Sequence, residues 1–141
     1  MSMVLNIFEH IAREHREMEA MLQKLSDGFD RSTFDKLDIS LQAHMMAEER
    51  TLYPAIKSGA EDMVERAQED HDIMRELLED LESGVEYSET ISELVEIIRD
   101  HVRDEEEDMF PTAREMLDPG RIEELSQRFN EIDERIVQRS W

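Results

Sequence analysis

The sequence predicts an all-α protein, an antiparallel up-down four-helix bundle with an additional C-terminal helix. Three observations predict it. Apolar residues recur every three or four positions along five segments, the period at which a helix presents one face. Gly28, Gly59, Gly84 and Gly120 fall between those segments, so the connections are short and sequential helices run antiparallel. The first four segments also form a repeat: His44, Glu48, Tyr53 and Pro54 return 57 residues later as His101, Glu105, Phe110 and Pro111, while His15 and Met18 return 56 residues later as His71 and Met74. The chain is thus two helical hairpins, each with a lone His on its first helix and a His/Glu pair on its second.

The first helix runs from Leu5 to about Ser26 on the stripe Phe8, Ile11, His15, Met18, Leu22 and Leu25, which turns His15 inward. His10 lies off that line and is read as a surface residue. Asp27 and Gly28 end the helix, with Gly suited to a left-handed cap. Ser32 or Thr33 can cap the second helix, whose stripe is Leu37, Leu41, His44, Glu48, Leu52 and Ala55. Pro54 has no amide proton for the carbonyl four residues back, so a kink or an end is expected there. The third helix, Glu61 to Glu82, turns Val64, Ala67, His71, Met74, Leu78 and Leu81 inward before Ser83 and Gly84 close it. The fourth starts near Ser88 or Thr90 and carries Ile91, Leu94, Ile98, His101 and Glu105, then Met109 or Thr112, with Pro111 repeating the role of Pro54. After Asp118, Pro119 and Gly120, a fifth helix shows Ile122, Leu125, Phe129, Ile132 and Ile136. It has no counterpart in the repeat and no ligand-type residue on its stripe, and it either packs on the bundle or mediates self-association. The division is residues 1–117 for the bundle and 118–141 for the C-terminal helix.

At 141 residues the chain supports one core. With 16 Lys and Arg against 37 Asp and Glu, its net charge of −21 repels nucleic acid phosphates and anionic lipid headgroups, so neither nucleic acid nor membrane is an expected partner. Most of this charge is expected on a solvated outer face. The absence of cysteine removes thiolate metal sites, disulfides and cysteine nucleophiles. The opening apolar stretch lacks a basic lead and meets Glu9 and His10 early, and no run is long enough to span a bilayer, so a soluble, cytoplasmic protein is expected.

A single His on an apolar stripe is ordinarily a satisfied core residue, and one His/Glu pair at i, i+4 is ordinarily a surface ion pair. Four inward His and two inward Glu at matching places in a repeat are different. Burying two carboxylates costs at least several kcal/mol each without compensation, and no Lys or Arg lies on the four stripes. Cations within the bundle supply the missing charge. Six ligands, His15, His44, Glu48, His71, His101 and Glu105, exceed one tetrahedral zinc and suit two ions bridged by carboxylates. Mixed nitrogen and oxygen donors suit iron or manganese.

At these residues the chain resembles the hemerythrin-like family, specifically its His-His-Glu (HHE) cation-binding domain, over about residues 5–117. The resemblance implies a four-helix bundle around two non-haem iron ions, with manganese or zinc ranked behind iron. Glu48 and Glu105 would bridge the di-iron centre with an oxo or hydroxo group. His15 and His44 would serve one iron, His71 and His101 the other. Oxygen-carrying members have a further His one turn after the third-helix ligand, and an Asp as the last carboxylate. Here those places hold Arg75 and Glu105, so one coordination position is left for water or a small ligand. Glu49 and Glu106 stand about 100° round the helix from the bridging residues, which favours solvation over ligation. Met18, Met45, Met74 and Met109 are read as flexible core filling. Tyr53 and Phe110 are read as packing near helix ends, with a radical or gating role for Tyr53 as the alternative.

The function so expected is binding of oxygen or a related small ligand such as nitric oxide or peroxide, for sensing, storage or detoxification. The alternatives are a di-iron enzyme turning over peroxide or nitric oxide, an iron storage or donor protein, and a helical interaction module without metal.

Overall fold

The computed structural model describes residues 4–84 and 86–140. The outer ends of the expected division, residues 1–3 and Trp141, lie outside them, as does the start of the stretch read for a leader. The helices are α1 (Ile7–Asp27), α2 (Arg31–Arg50), α3 (Leu52–Ile56), α4 (Glu61–Ser83), α5 (Tyr87–Asp104), α6 (Phe110–Met116) and α7 (Pro119–Ser140), with one π-helical turn, Glu105–Met109, joining α5 to α6. The hairpins α1/α2 and α4/α5 form the bundle, and α7 packs along α2 and α1. Among the described residues no helix is long and apolar enough to cross a membrane.

Caps and breaks follow side-chain chemistry, with three departures from expectation. The α1 start is capped by Asn6, whose side chain accepts from the Phe8 amide at 2.9 Å. The α2 cap is Asp30 rather than Ser32 or Thr33: its carboxylate accepts from the Thr33 amide at 3.1 Å and also from the Thr33 hydroxyl. Gly84 adopts the left-handed cap (φ 76°, ψ 19°), where a Cβ would be strained, whereas Gly28 is extended at φ 159°, ψ 152°.

The two prolines do not play the same role. Ahead of Pro54 the helix breaks at Thr51 (φ −125°, ψ −78°), and α3 starts on a new phase. Leu52, Tyr53 and Ile56 are therefore buried while Ala55 is only partly so. Ahead of Pro111 the helix stays continuous and widens, the Phe110 amide donating to the Glu105 carbonyl five residues back. Glu105 opens that widened turn.

The core consists of two apolar clusters with a polar layer between them. One contains Leu22, Leu25, Phe34, Leu37, Leu78 and Leu94. The other contains Ile7, Phe8, Ile11, Leu52, Phe110 and, from α7, Leu125 and Phe129. Along α1, His15 falls between Ile11 of the second and Met18 of the first, and along α4, His71 falls between Ala67 and Met74 in the same order. At roughly 1.5–3 kcal/mol per fully buried large apolar side chain, these clusters offset the cost of holding an ionisable layer in the middle of the bundle. Met18, Met45, Met74 and Met109 belong to the clusters, as expected of core filling.

Candidate metal centre

All six expected residues meet in that layer, each at 5% exposure or less. Each imidazole is oriented from its outer nitrogen. The Nδ1 of His15 is 2.7 Å from Glu106 Oε2, that of His44 2.8 Å from Glu14 Oε1, that of His71 2.8 Å from Glu49 Oε2, and that of His101 3.1 Å from Asp70 Oδ2. A carboxylate can only accept, so each Nδ1 carries the proton and each Nε2 is turned inward.

Most of the inward atoms lack partners of their own. The Nε2 atoms of His15, His44 and His101, both oxygens of Glu48 and Oε1 of Glu105 are buried without a hydrogen bond. The inward imidazole nitrogens and carboxylate oxygens of the layer stand opposite one another at 3.2 Å (His15 to Glu105), 3.1 Å (His44 to Glu48), 3.3 Å (His71 to Glu48) and 3.2 Å (His101 to Glu105). Bonds of about 2.1–2.2 Å to a common ion give an octahedral edge of about 3.0–3.1 Å, close to this spacing. The donors fall into two groups, His15, His44, Glu48 and Glu105, and His71, His101, Glu48 and Glu105, with the same two carboxylates in both. Two ions sharing two carboxylates fit this arrangement.

Electrostatics point the same way. Burial pulls the His44 and His101 imidazoles down, yet the carboxylates of Glu48 and Glu14 push His44 well above its ordinary value, and those of Glu105 and Asp70 push His101 to about 10. His15 is likewise raised by Glu105 and Glu106 against burial. Burial opposes ionisation of Glu105, but His101 and His15 hold it well below the usual carboxylate range. The layer requires positive charge, and metal-free it draws protons onto its imidazoles.

The residues 6–113 match the family described as the hemerythrin HHE cation binding domain. The chain belongs to that family. Its hemerythrin-like fold thus carries two buried His/Glu clusters positioned to coordinate a di-iron centre. A curated relative, a protein named DNA nickase from Nostoc sp. (strain PCC 7120 / SAG 25.82 / UTEX 2576), is 30% identical over 145 residues, an alignment that covers 96% of this chain and 41% of that protein. The chain therefore spans less than half of that relative's length. No solved structure matches it.

Several neighbours of this hemerythrin-like site were misjudged from sequence. Glu49 and Glu106 are not freely solvated, because each accepts from an imidazole and pairs with an arginine, Arg75 and Arg16 respectively. Arg75, in the place of the further His, turns away from the centre and grips Glu49 with both terminal nitrogens at 2.9 and 2.7 Å. Tyr53 does not merely pack near a helix end. Its hydroxyl donates to Glu105 Oε2 at 2.7 Å and lies 3.2 Å from His71 Nε2. Burial, with Glu105 and Glu48 alongside, pushes the phenol well above its ordinary value and keeps it protonated. A signal for the carboxylates was present: an acid directly precedes each lone His (Glu14, Asp70) and directly follows each paired Glu (Glu49, Glu106), at the repeat offset.

The two halves differ in access. Phe129 of α7 covers the first, its ring edge-on to His44 at 6.0 Å between centroids. The second opens into a pocket of about 240 Å³ that reaches His101 and Glu105 past Ala67 and Met109, with Arg66 and Asp62 at its walls.

Proposed function

We propose that the protein holds two iron ions, His15 and His44 on one and His71 and His101 on the other, with Glu48 and Glu105 spanning both. The centre binds oxygen or a related small ligand, such as nitric oxide or peroxide, for sensing, storage or detoxification. The observation that carries this is the set of unpartnered inward donor atoms in a fully buried layer. When bound, iron supplies a redox-active pair able to take such a ligand at a free coordination position. With iron bound, that position would fall on the His71/His101 side, where the further His of the oxygen carriers is replaced by Arg75, turned outward onto Glu49. The pocket reaches the same side. Its lining of Asp62, Asp70, Asp104 and Asp108 against one Arg66 disfavours anions and admits small neutral molecules.

Anaerobic reconstitution with ferrous iron is expected to load two irons per chain and, after oxygen, to give the charge-transfer absorption of a bridged ferric pair. A colourless protein without bound iron overturns the proposal.

Turnover of peroxide or nitric oxide is a second reading, favoured by one observation. The Tyr53 hydroxyl holds a proton beside Glu105 and His71, on the side of the free position. Repeated consumption of either substrate, reduced in Tyr53→Phe with iron content unchanged, supports turnover, whereas a stable stoichiometric adduct supports binding alone. The activity in the Nostoc protein's name forms no part of this reading, since the chain covers 41% of that protein and its charge of −21 repels DNA.

A further inference from the structure

The expectations for His10 and for the C-terminal helix both fail at one place. His10 is not a surface residue: its side chain is 12% exposed, beneath α7, with its ring 4.8 Å from that of Phe129. The stripe of α7 does carry a ligand-type residue, because Asp133 is buried at 6% exposure. Ile132, on the expected stripe, is only partly buried. Between α1 and α7, His10, Glu14 and Asp133 bring three donor atoms within 4.8 Å of one another.

We propose that these three side chains form a third cation site, separate from the di-iron layer, for a first-row divalent transition metal such as zinc. The spacing is that of ligands around an ion. His10 Nε2 is 3.4 Å from Glu14 Oε2 and 3.5 Å from Asp133 Oδ2, and the tetrahedral edge for bonds of about 2.1 Å is about 3.4 Å. The protein does not complete the polar pairing itself: Asp133 Oδ1 and His10 Nδ1 are buried without a hydrogen-bond partner. A buried carboxylate oxygen without a partner costs free energy that a bound cation recovers.

Charge and access agree with the geometry. Two carboxylates outnumber the single imidazole even when it is protonated, and Glu14 is already committed through Oε1 to His44. A groove of about 440 Å³ leads to the three residues past Leu5, Arg13, Glu17, Asn130 and Glu134; its acids outnumber Arg13, which pairs with Glu17 at 3.4 Å, and so attract cations. One imidazole and two carboxylates leave a fourth position for water, a donor set suited to a borderline divalent metal rather than calcium or magnesium, which take oxygen ligands. Asp133 lies on α7, beyond the span matched by the family, residues 6–113, so the site depends on that helix.

The test is calorimetric titration of zinc into iron-loaded protein, with the ferric absorption followed in parallel. One zinc per chain is expected with the ferric absorption intact, and at least tenfold weaker binding in both His10→Ala and Asp133→Asn. No zinc uptake, uptake equal in wild type and Asp133→Asn, or uptake matched by loss of ferric absorption overturns the proposal. Should either variant fail to fold, anomalous scattering at the zinc edge from wild-type crystals decides: a peak at about 2.0–2.1 Å from His10 Nε2 supports the site, and its absence overturns it. Because the comparison is between wild type and Asp133→Asn, a protein that held no iron would still report on this site.

Discussion

Glu48 is completely buried and neither of its oxygens accepts a hydrogen bond, so it isolates what the metal does for the fold. In metal-free protein the nearest groups facing it are the imidazoles of His44 at 3.1 Å and His71 at 3.3 Å. Glu48→Gln keeps the shape and removes the charge. It is expected to leave metal-free stability unchanged or raise it by about 1–3 kcal/mol in denaturant melts, while iron content falls below two per chain. A large loss of metal-free stability would mean that the carboxylate is satisfied by protein alone. Tyr53→Phe deletes one buried hydrogen bond to Glu105 and is expected to cost about 1–3 kcal/mol by the same measurement. The six candidate residues were legible because ligand-type residues on apolar stripes at repeat positions conflict with core composition. Tyr53 was not, since a tyrosine near a helix end is ordinary until the break at Thr51 turns it inward.

That break shows where periodicity loses its force among the elements. The sequence carries the same spacing from Glu48 to Pro54 and from Glu105 to Pro111, yet one proline follows a break and the other a π turn. A stripe extrapolated through either proline loses phase, which is why Ala55 was expected inward and Ile56 was found there. Helix existence, order and facing were legible from 3.6-residue periodicity, whereas partners chosen in three dimensions were not. The C-terminal helix illustrates this: its apolar stripe implied packing or self-association, and its partner is the α1/α2 hairpin. Phe129 is its anchor, fully buried and in ring contact with both His10 and His44. Phe129→Ala is expected to cost about 3–5 kcal/mol in chemical denaturation. Loss of that contact also loosens the cover over the His44 side, so faster release of iron to a chelator is expected. A loss below about 1 kcal/mol would show that α7 contributes little to holding the bundle.

Taken across the whole molecule, protons and metal ions compete for one buried layer, which gives the metal-free and metal-loaded forms different pH optima. Glu49, under His71 and Arg75, is held down to about 2 against burial, and Glu105 is held well below its ordinary 4.5. Their stabilisation is fully present above about 4.5 and is lost as pH falls towards their folded values. His101 is raised from 6.5 to about 10, so its stabilisation is fully present below 6.5 and is lost as pH rises through about 10. Metal-free protein is therefore expected to melt highest between about pH 4.5 and 6.5. Loading reverses the alkaline side, because an imidazolium has no lone pair for a metal and His15, His44 and His101 must surrender protons. Metal affinity is expected to rise with pH across 6–8, and the melting optimum of the loaded form to move above 6.5. Calorimetric binding at pH 7 in two buffers of different ionisation enthalpy measures the protons released. Buffer-independent heats, or the same melting optimum with and without metal, would mean that the imidazoles are neutral before metal arrives.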